Sequence, residues 1–304
     1  MIGIGSNEKT VADIMNRLFV QVLTPPDKQY AQVRLAVDVT DPTVETIVLG
    51  SFTIPEDEGL LRQGSILELD QELVRVVTYE PSTRYVTVTR GEYGTTPATH
   101  STPLLVNLNP PYTRATVFEA VADNIIQLYP ALSTTGQEML ASVTDRVFAI
   151  GDELAVEILS VQPGDFTSGL DLHGEIVDFH PMVGGRSLIL NKQIGTVWLR
   201  YRRRMGNATD ESDLLDSLGV DPRWANIVLI GAAADLIVGR DVTAAQTEWV
   251  KSVLEAENIR VGTRMSIGGG LRQYHGMLLK EAMKEMKAEY RPKTEMRDPF
   301  TQVV

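Results

Sequence analysis

Between residues 58 and 106 the chain reads EGLLRQGSILELDQELVRVVTYEPSTRYVTVTRGEYGTTPATHSTPLLV. Short aliphatic and β-branched runs alternate there with turn residues, and that spacing admits little but a small antiparallel β-module. Ile66–Leu69 and Leu73–Tyr79 are strand-like, a turn follows over residues 80–84, and residues 85–90 form the next strand. In Val86-Thr87-Val88-Thr89 the valines share one face and the threonines the other, because side chains alternate along a strand. Pro81-Ser82-Thr83 supplies the turn. Gly91 and Gly94 suit a tight loop that needs positive φ. Arg90 ends the strand, where it can pair with Glu92 or a neighbouring carboxylate. A single arginine and a single histidine, Arg90 and His100, make no catalytic constellation; they read as groups that knit the loop.

Length and composition bound the rest. A chain of 304 residues suggests two or three folding units. With 43% hydrophobic and 22% charged residues the composition is that of a globular protein. There is no cysteine, which excludes disulfides, thiol catalysis and thiolate-bound metal. No apolar run approaches the roughly 20 residues of a membrane span, and MIGIGSNEKT lacks the basic start and apolar core of a secretory signal. The expectation is a soluble protein assembled in a cytoplasm. The net charge of −12 is uneven: residues 1–199 hold 12 Lys and Arg against 25 Asp and Glu, and residues 200–304 hold 16 against 15. An acidic N-terminal two-thirds argues against a nucleic-acid-binding surface there. It is compatible with a channel past which DNA slides, and equally with simple solubility.

Periodicity organises the remainder into an α+β chain. Val11, Ile14, Met15, Leu18, Phe19 and Val22 form a helical stripe, capped by Thr10 and stopped by Pro25-Pro26. This N-terminal helix occupies residues 1–29, and the β-rich module follows over 30–108. A linking helix spans 109–136, with Thr116-Val117-Phe118-Glu119 read as its capping box. Two apolar stripes, one through Val117, Val121, Ile125 and Leu128 and one through Phe118, Ala122, Ile126 and Tyr129, predict burial of a broad face. Strand-like runs separated by glycines over 137–206 suggest a β-sandwich-like domain. Residues 207–290 are helical, opening at Asp221-Pro222, with a second capping box at Thr243-Ala244-Ala245-Gln246 and a loose linker at Gly262–Gly270. A last stripe runs from Leu271 to Met286, its outer face lined with alternating Lys and Glu. Residues 291–304 read as an extended C-terminal tail.

Several of these segments resemble structural proteins of tailed bacteriophages. The β-module resembles one whose pattern ends in V-T-V-x-R-G-x-x-G-T and a histidine, here Val86 to Thr95 and His100. TVFEAVADNIIQLYPAL is similar to the helix after that module in head–tail joining or minor tail proteins of actinobacterial siphophages. The run from Thr196 to Arg204 resembles their closing V-x-V-x-Y-R strand. Gly231, Ala232, Ala233, Leu236 and Arg240 match a G-A-A-x-x-L-x-x-x-R helix. The likeness spans roughly residues 58–290. It implies a virion protein, a head-to-tail connector (adaptor or neck) subunit, with a minor tail or baseplate protein as the alternative. The partners implied are further copies in a ring, the portal and other neck or tail proteins, with non-specific passage of double-stranded DNA and no membrane.

The candidates for chemistry are weak. Asp171, His173, Asp178 and His180 lie near one another, but residues 173 and 180 would face opposite sides of a strand, and no H-E-x-x-H is present. GTRMSIGGG at 262–270 lacks the Gly-Lys-Ser/Thr ending of a phosphate loop and suits a hinge. No serine has a G-x-S-x-G setting. Glu153, Glu157, Asp165 and Glu175 are the carboxylates that a cell-wall hydrolase would need, without recognisable spacing. The expectation is therefore no catalytic residue, no metal and no cofactor. Arg200, Arg202, Arg203 and Arg204 form the dense basic run, suited to phosphates in a ring lumen or, preferably, to carboxylates of the next subunit. Phe300, Val303 and Val304 are the apolar anchors of a tail that can add to a neighbour's sheet.

Overall fold

The computed structural model describes residues 10–23, 31–140, 147–163, 179–181, 187–190, 197–237 and 265–289. The chain is α+β, built around two separate aliphatic cores. One fills a β-barrel and the other lies among helices.

Six strands make the barrel: β1 (Gln32–Leu35), β2 (Thr46–Phe52), β3 (Ile66–Leu69), β4 (Glu72–Glu80), β5 (Tyr85–Thr89) and β6 (Leu105–Leu108). Their order is β1-β2-β5-β4-β3-β6, every pairing is antiparallel, and β6 returns to β1 to close the sheet. Closure leaves no open sheet edge. The alternation read in the sequence sets the lining. Each strand sends two aliphatic side chains inward: Val33 and Leu35, Ile47 and Leu49, Leu67 and Leu69, Val74 and Val76, Val86 and Val88, Val106 and Leu108. All twelve are essentially inaccessible to solvent. Short strands must bend sharply to close so small a barrel, and bulges supply that bend. The register slips between Val33 and Leu35 on β1, and between Val76 and Thr78 on β4.

The helical body begins with α1 (Val11–Leu18). The Thr10 hydroxyl accepts from the Asp13 N–H and the Asp13 carboxylate accepts from the Thr10 N–H, both at 3.2 Å. This reciprocal box satisfies two of the free donors at a helix start. Val11, Ile14, Met15 and Leu18 are buried as the stripe predicts, and a π turn, Phe19–Leu23, extends the helix. Residues 24–30, with Pro25-Pro26, lie outside the described residues.

α2 (Arg114–Gln127) starts one turn earlier than its sequence suggests. Thr113 is the N-cap, its hydroxyl accepting from the Thr116 N–H at 3.1 Å, so Thr116 sits inside the helix and 116–119 is not the capping box. The first apolar stripe, Val117, Val121, Ile125 and Leu128, is buried. The second is only half covered, because Ile126 and Tyr129 are exposed.

Strands β7 (Thr134–Leu140), β9 (Ala155–Pro163) and β12 (Val197–Arg203) form one sheet with β12 central. β8 (Val147–Ala149), β10 (Phe179–Pro181) and β11 (Ser187–Leu190) form another. The described strands fall in the region 137–206 read as strand-rich, except that β7 begins three residues before it, and residues 171–178 lie outside the described residues.

A 3-10 turn at Pro222–Trp224, capped by Asp221, leads into α3 (Ala225–Ile237), which is buried on nearly all sides. α4 (Met265–Glu289) packs across it. The linker expected up to Gly270 is thus shorter, since Gly268, Gly269 and Gly270 are already helical. Burial of Leu271 and Tyr274 in the helical core anchors the helix directly after these glycines, which offsets the poor helix propensity of glycine. The small residues 231–234 let neighbouring helices approach closely, as the sequence predicts. Gly231 lies against Asn124 of α2 and His275 of α4. Residues 238–264, which carry the second capping box, lie outside the described residues, as does the tail 290–304.

Candidate functional site

Where one end of the barrel meets the start of α2, a cleft of about 950 Å³ opens. Glu68, Asp70, Glu72, Tyr93 and His100 line its barrel side, and Arg114, Phe118, Glu119 and Glu211 line the other. Two polar clusters shape it.

The first gathers the distinctive residues of the R-G-x-x-G-T loop. Glu72 has the parity of Val74 and Val76, and Arg90 that of Val86 and Val88, so both charges point into the barrel end. Arg90 Nε and Nη2 each donate to one oxygen of Glu72 at 2.6 Å. Nη2 also donates to the Ala98 carbonyl at 2.6 Å, and Nη1 to that of Val44 at 3.2 Å. His100 places Nε2 2.9 Å from Glu72 Oε2 and Nδ1 3.2 Å from Asp70 Oδ2. The Ala98 N–H donates to Glu72 Oε2 at 3.0 Å. The Arg90 and Glu72 side chains are 6% and 1% exposed. Burial pushes the Glu72 carboxyl up, but the hydrogen bonds from Arg90, His100 and Ala98 outweigh it and bring it down to about 2. Glu92, the other partner considered for Arg90, instead pairs with Arg75 at 2.7 Å.

Gly91 makes the bend that delivers Arg90 to Glu72. Its φ is +67°, and a Cβ there would lie 2.9 Å from the Thr95 carbonyl oxygen and 3.1 Å from the Pro97 ring. Gly91→Ala is expected to lower the unfolding free energy of the barrel by about 2 kcal/mol, read from the urea midpoint. An unchanged midpoint would mean that the loop has room to relax.

The second cluster joins the barrel to the helical body. Glu68 lies between the inward-facing Leu67 and Leu69, so it points outward, yet it is 2% exposed because the start of α2 covers it. It stands opposite Asn107 in the β3–β6 register, and Asn107 stands opposite Gln32 in β1. Gln32 Nε2 donates to Asn107 Oδ1, and Asn107 Nδ2 donates to Glu68 Oε2, each at 2.9 Å. Glu68 Oε1 accepts from the backbone N–H of Arg114, the first residue of α2. The barrel thereby supplies a carboxylate to a helix N-terminus, where free N–H groups and the helix dipole favour negative charge. Burial nevertheless raises the Glu68 carboxyl above its ordinary range, with Asn107 and Arg114 opposing the rise. The Arg114 side chain pairs with Glu211 and stands 6.0 Å from the Phe19 ring centre.

The basic run lies on and just beyond β12, away from these clusters. Arg202 pairs with Glu157 at 2.8 Å, and Arg203 with Asp152 at 2.7 Å. Arg203 also donates to the carbonyls of Asp216 and Ser217. Arg200 is half-buried, Arg204 is exposed, and the Arg204 N–H donates to the Leu154 carbonyl. Arg202 and Arg203 therefore use carboxylates of their own chain. The Arg202–Glu157 pair is exposed on both sides, so Arg202→Ala is expected to change the melting free energy by less than about 1 kcal/mol. A larger loss would reveal a further partner for Arg202. Phe300, Val303 and Val304 lie outside the described residues.

Of the hydrolase carboxylates, Glu153 is exposed and Glu157 is held by Arg202, while Asp165 and Glu175 lie outside the described residues. Of the four residues weighed for metal, His180 lies in β10, and Asp171, His173 and Asp178 lie outside the described residues. Among the described residues no three His, Asp or Glu stand where they would hold a metal ion, and no helix is long and apolar enough to cross a membrane. Glu68 and Glu72 were missed as key residues in the sequence, although parity marks Glu72 and Arg90 as inward charges that need a partner. The chain matches no protein-family model and no curated protein.

Proposed function

We propose that the chain is a structural protein of a tailed-phage virion, a head-to-tail connector subunit that forms a ring between portal and tail and gives passage to DNA. One observation carries most weight beside the sequence resemblance. Arg90 and His100, the two chemically versatile side chains of the R-G-x-x-G-T block, both end on the buried carboxylate of Glu72. A motif used in this way rivets a loop to a barrel and leaves its groups occupied. The β-sandwich-like grouping of residues 137–206, a helical domain over 207–290 and an extended tail complete the domain layout of this reading. Copies meet head to tail and close by rotation. Helices dock on one partner ring and barrels face the other or project outward. The tail anchors Phe300, Val303 and Val304, with Arg200 to Arg204, supply contacts to neighbours.

The decisive experiment fractionates particles and locates the chain. Co-purification with the portal, and a closed oligomer by mass photometry, are the expected results. A chain found only in peripheral tail fractions identifies a minor tail or baseplate protein instead. Absence from mature particles, or cell-wall hydrolysis by the purified monomer, overturns the structural reading altogether.

A further inference from the structure

We infer that the barrel is a separately folded module whose tilt on the helical body is held by a polar latch, in which Glu68 binds the first N–H of α2, and that Glu211 braces this point from within the helical body by pairing with the Arg114 side chain. The two aliphatic cores share no residue: residues between Ala31 and Leu108 supply one, while residues 11–23, 112–132, 205–237 and 271–282 supply the other. Hydrophobic contact is what welds two units into one rigid body, and a joint of modest, polar contacts permits relative motion. At this joint hydrogen bonds and an ion pair converge on one residue. Arg114 sits at its centre. Its N–H reaches Glu68 on the barrel, its guanidinium reaches Glu211 on the loop before α3, and the same guanidinium stands over Phe19 behind α1. The Gln32–Asn107–Glu68 row ties this point to three neighbouring barrel strands, so a pull on Arg114 acts on the barrel as a whole. The cleft of about 950 Å³ beside the latch is the space that such a motion would widen or close. This inference does not depend on the virion reading, and it holds for any protein built on these two units.

The chain has no cysteine, so two introduced cysteines label it uniquely. Ser82, at the exposed β4–β5 turn, and Lys280, exposed on α4, report on the two units. In the full-length S82C/K280C protein, pulsed electron-spin distance measurements are expected to give one narrow population. Adding Glu68→Ala should broaden the distribution at least twofold. Adding Glu211→Gln, which leaves both cores intact, should broaden it to a lesser degree. Far-ultraviolet circular dichroism and the melting profile verify that each variant is folded. Should Glu68→Ala unfold the barrel, Glu211→Gln alone decides the matter. Distributions as narrow as the parent's in the folded variants would overturn the inference, and so would a parent distribution already as broad as theirs.

Discussion

Glu72→Ala is expected to remove about 4 kcal/mol from the stability of the barrel, the largest loss of any single polar substitution in that module. The magnitude follows from what remains behind. Arg90 would keep its place at the barrel end, 6% exposed, with its charge uncompensated, and His100 and the Ala98 N–H would each lose an acceptor. Breaking one side of a buried pair is far costlier than the pair is stabilising, because desolvation of the survivor is no longer offset. Urea denaturation followed by circular dichroism measures it. A loss below about 1 kcal/mol would show that water reaches Arg90.

The same carboxylate is expected to set the acid limb of stability. Its folded value is depressed to about 2 from an ordinary 4.5, so an unfolded chain takes up this proton first as the pH falls. The contribution, about 3 kcal/mol from that difference, is fully present above pH 4.5 and is lost progressively toward pH 2. Melting temperature against pH should therefore fall steeply in that window for the parent protein. Glu72→Ala should flatten the fall, and parallel curves would assign the acid limb to other groups. Glu68 acts with the opposite sign. Its raised carboxyl binds the proton more readily when folded, so its contribution is largest below the ordinary glutamate value and declines as the pH rises through the folded one.

Gly231→Ala is expected to cost about 3 kcal/mol by overpacking the helical core. The new methyl would lie 2.0 Å from Asn124 Oδ1 and 3.1 Å from His275 Nε2. Asn124 is poorly placed to yield, since its Nδ2 donates to both the Ala120 carbonyl and Asp235 Oδ2 at 2.9 Å. α2 and α4 must therefore move away from α3, and a close-packed interior resists that. Denaturation midpoints measure the loss. Asn124→Ala removes the obstructing oxygen, so the double variant should be more stable than the sum of the single effects by more than about 1 kcal/mol. Strict additivity would place the strain elsewhere.

Strand positions in residues 58–106 were legible because alternation of apolar and polar residues is a local signal. Ile66–Leu69 agrees with the sequence reading, and β5 differs from it by one residue. Local pairing also made the cap at Thr10 readable, since donor and acceptor are three residues apart. The cap of α2 misled for the same reason. Thr113 and Thr116 offer two equally spaced hydroxyls, and the choice falls to Glu68, which lies 46 residues away and holds the Arg114 N–H. The site was half legible. Arg90 and His100 stood out as the polar residues of a patterned loop, but their shared acceptor lies 18 and 28 residues distant, across a barrel whose closure no local pattern announces.

Residue order alone thus dictates which faces of each strand and helix are apolar, where turns fall, and that the β-module carries charges at positions meant for its interior. Those follow from periods of 2 and 3.6 residues, which any short window contains. Closure of six strands into a barrel, the meeting of Arg90 and His100 on Glu72, and the seating of α2 on Glu68 depend on groups far apart in the chain. Their partners are chosen by burial, because a charge withdrawn from water must find an opposite one within reach, and only the folded arrangement says which one that is.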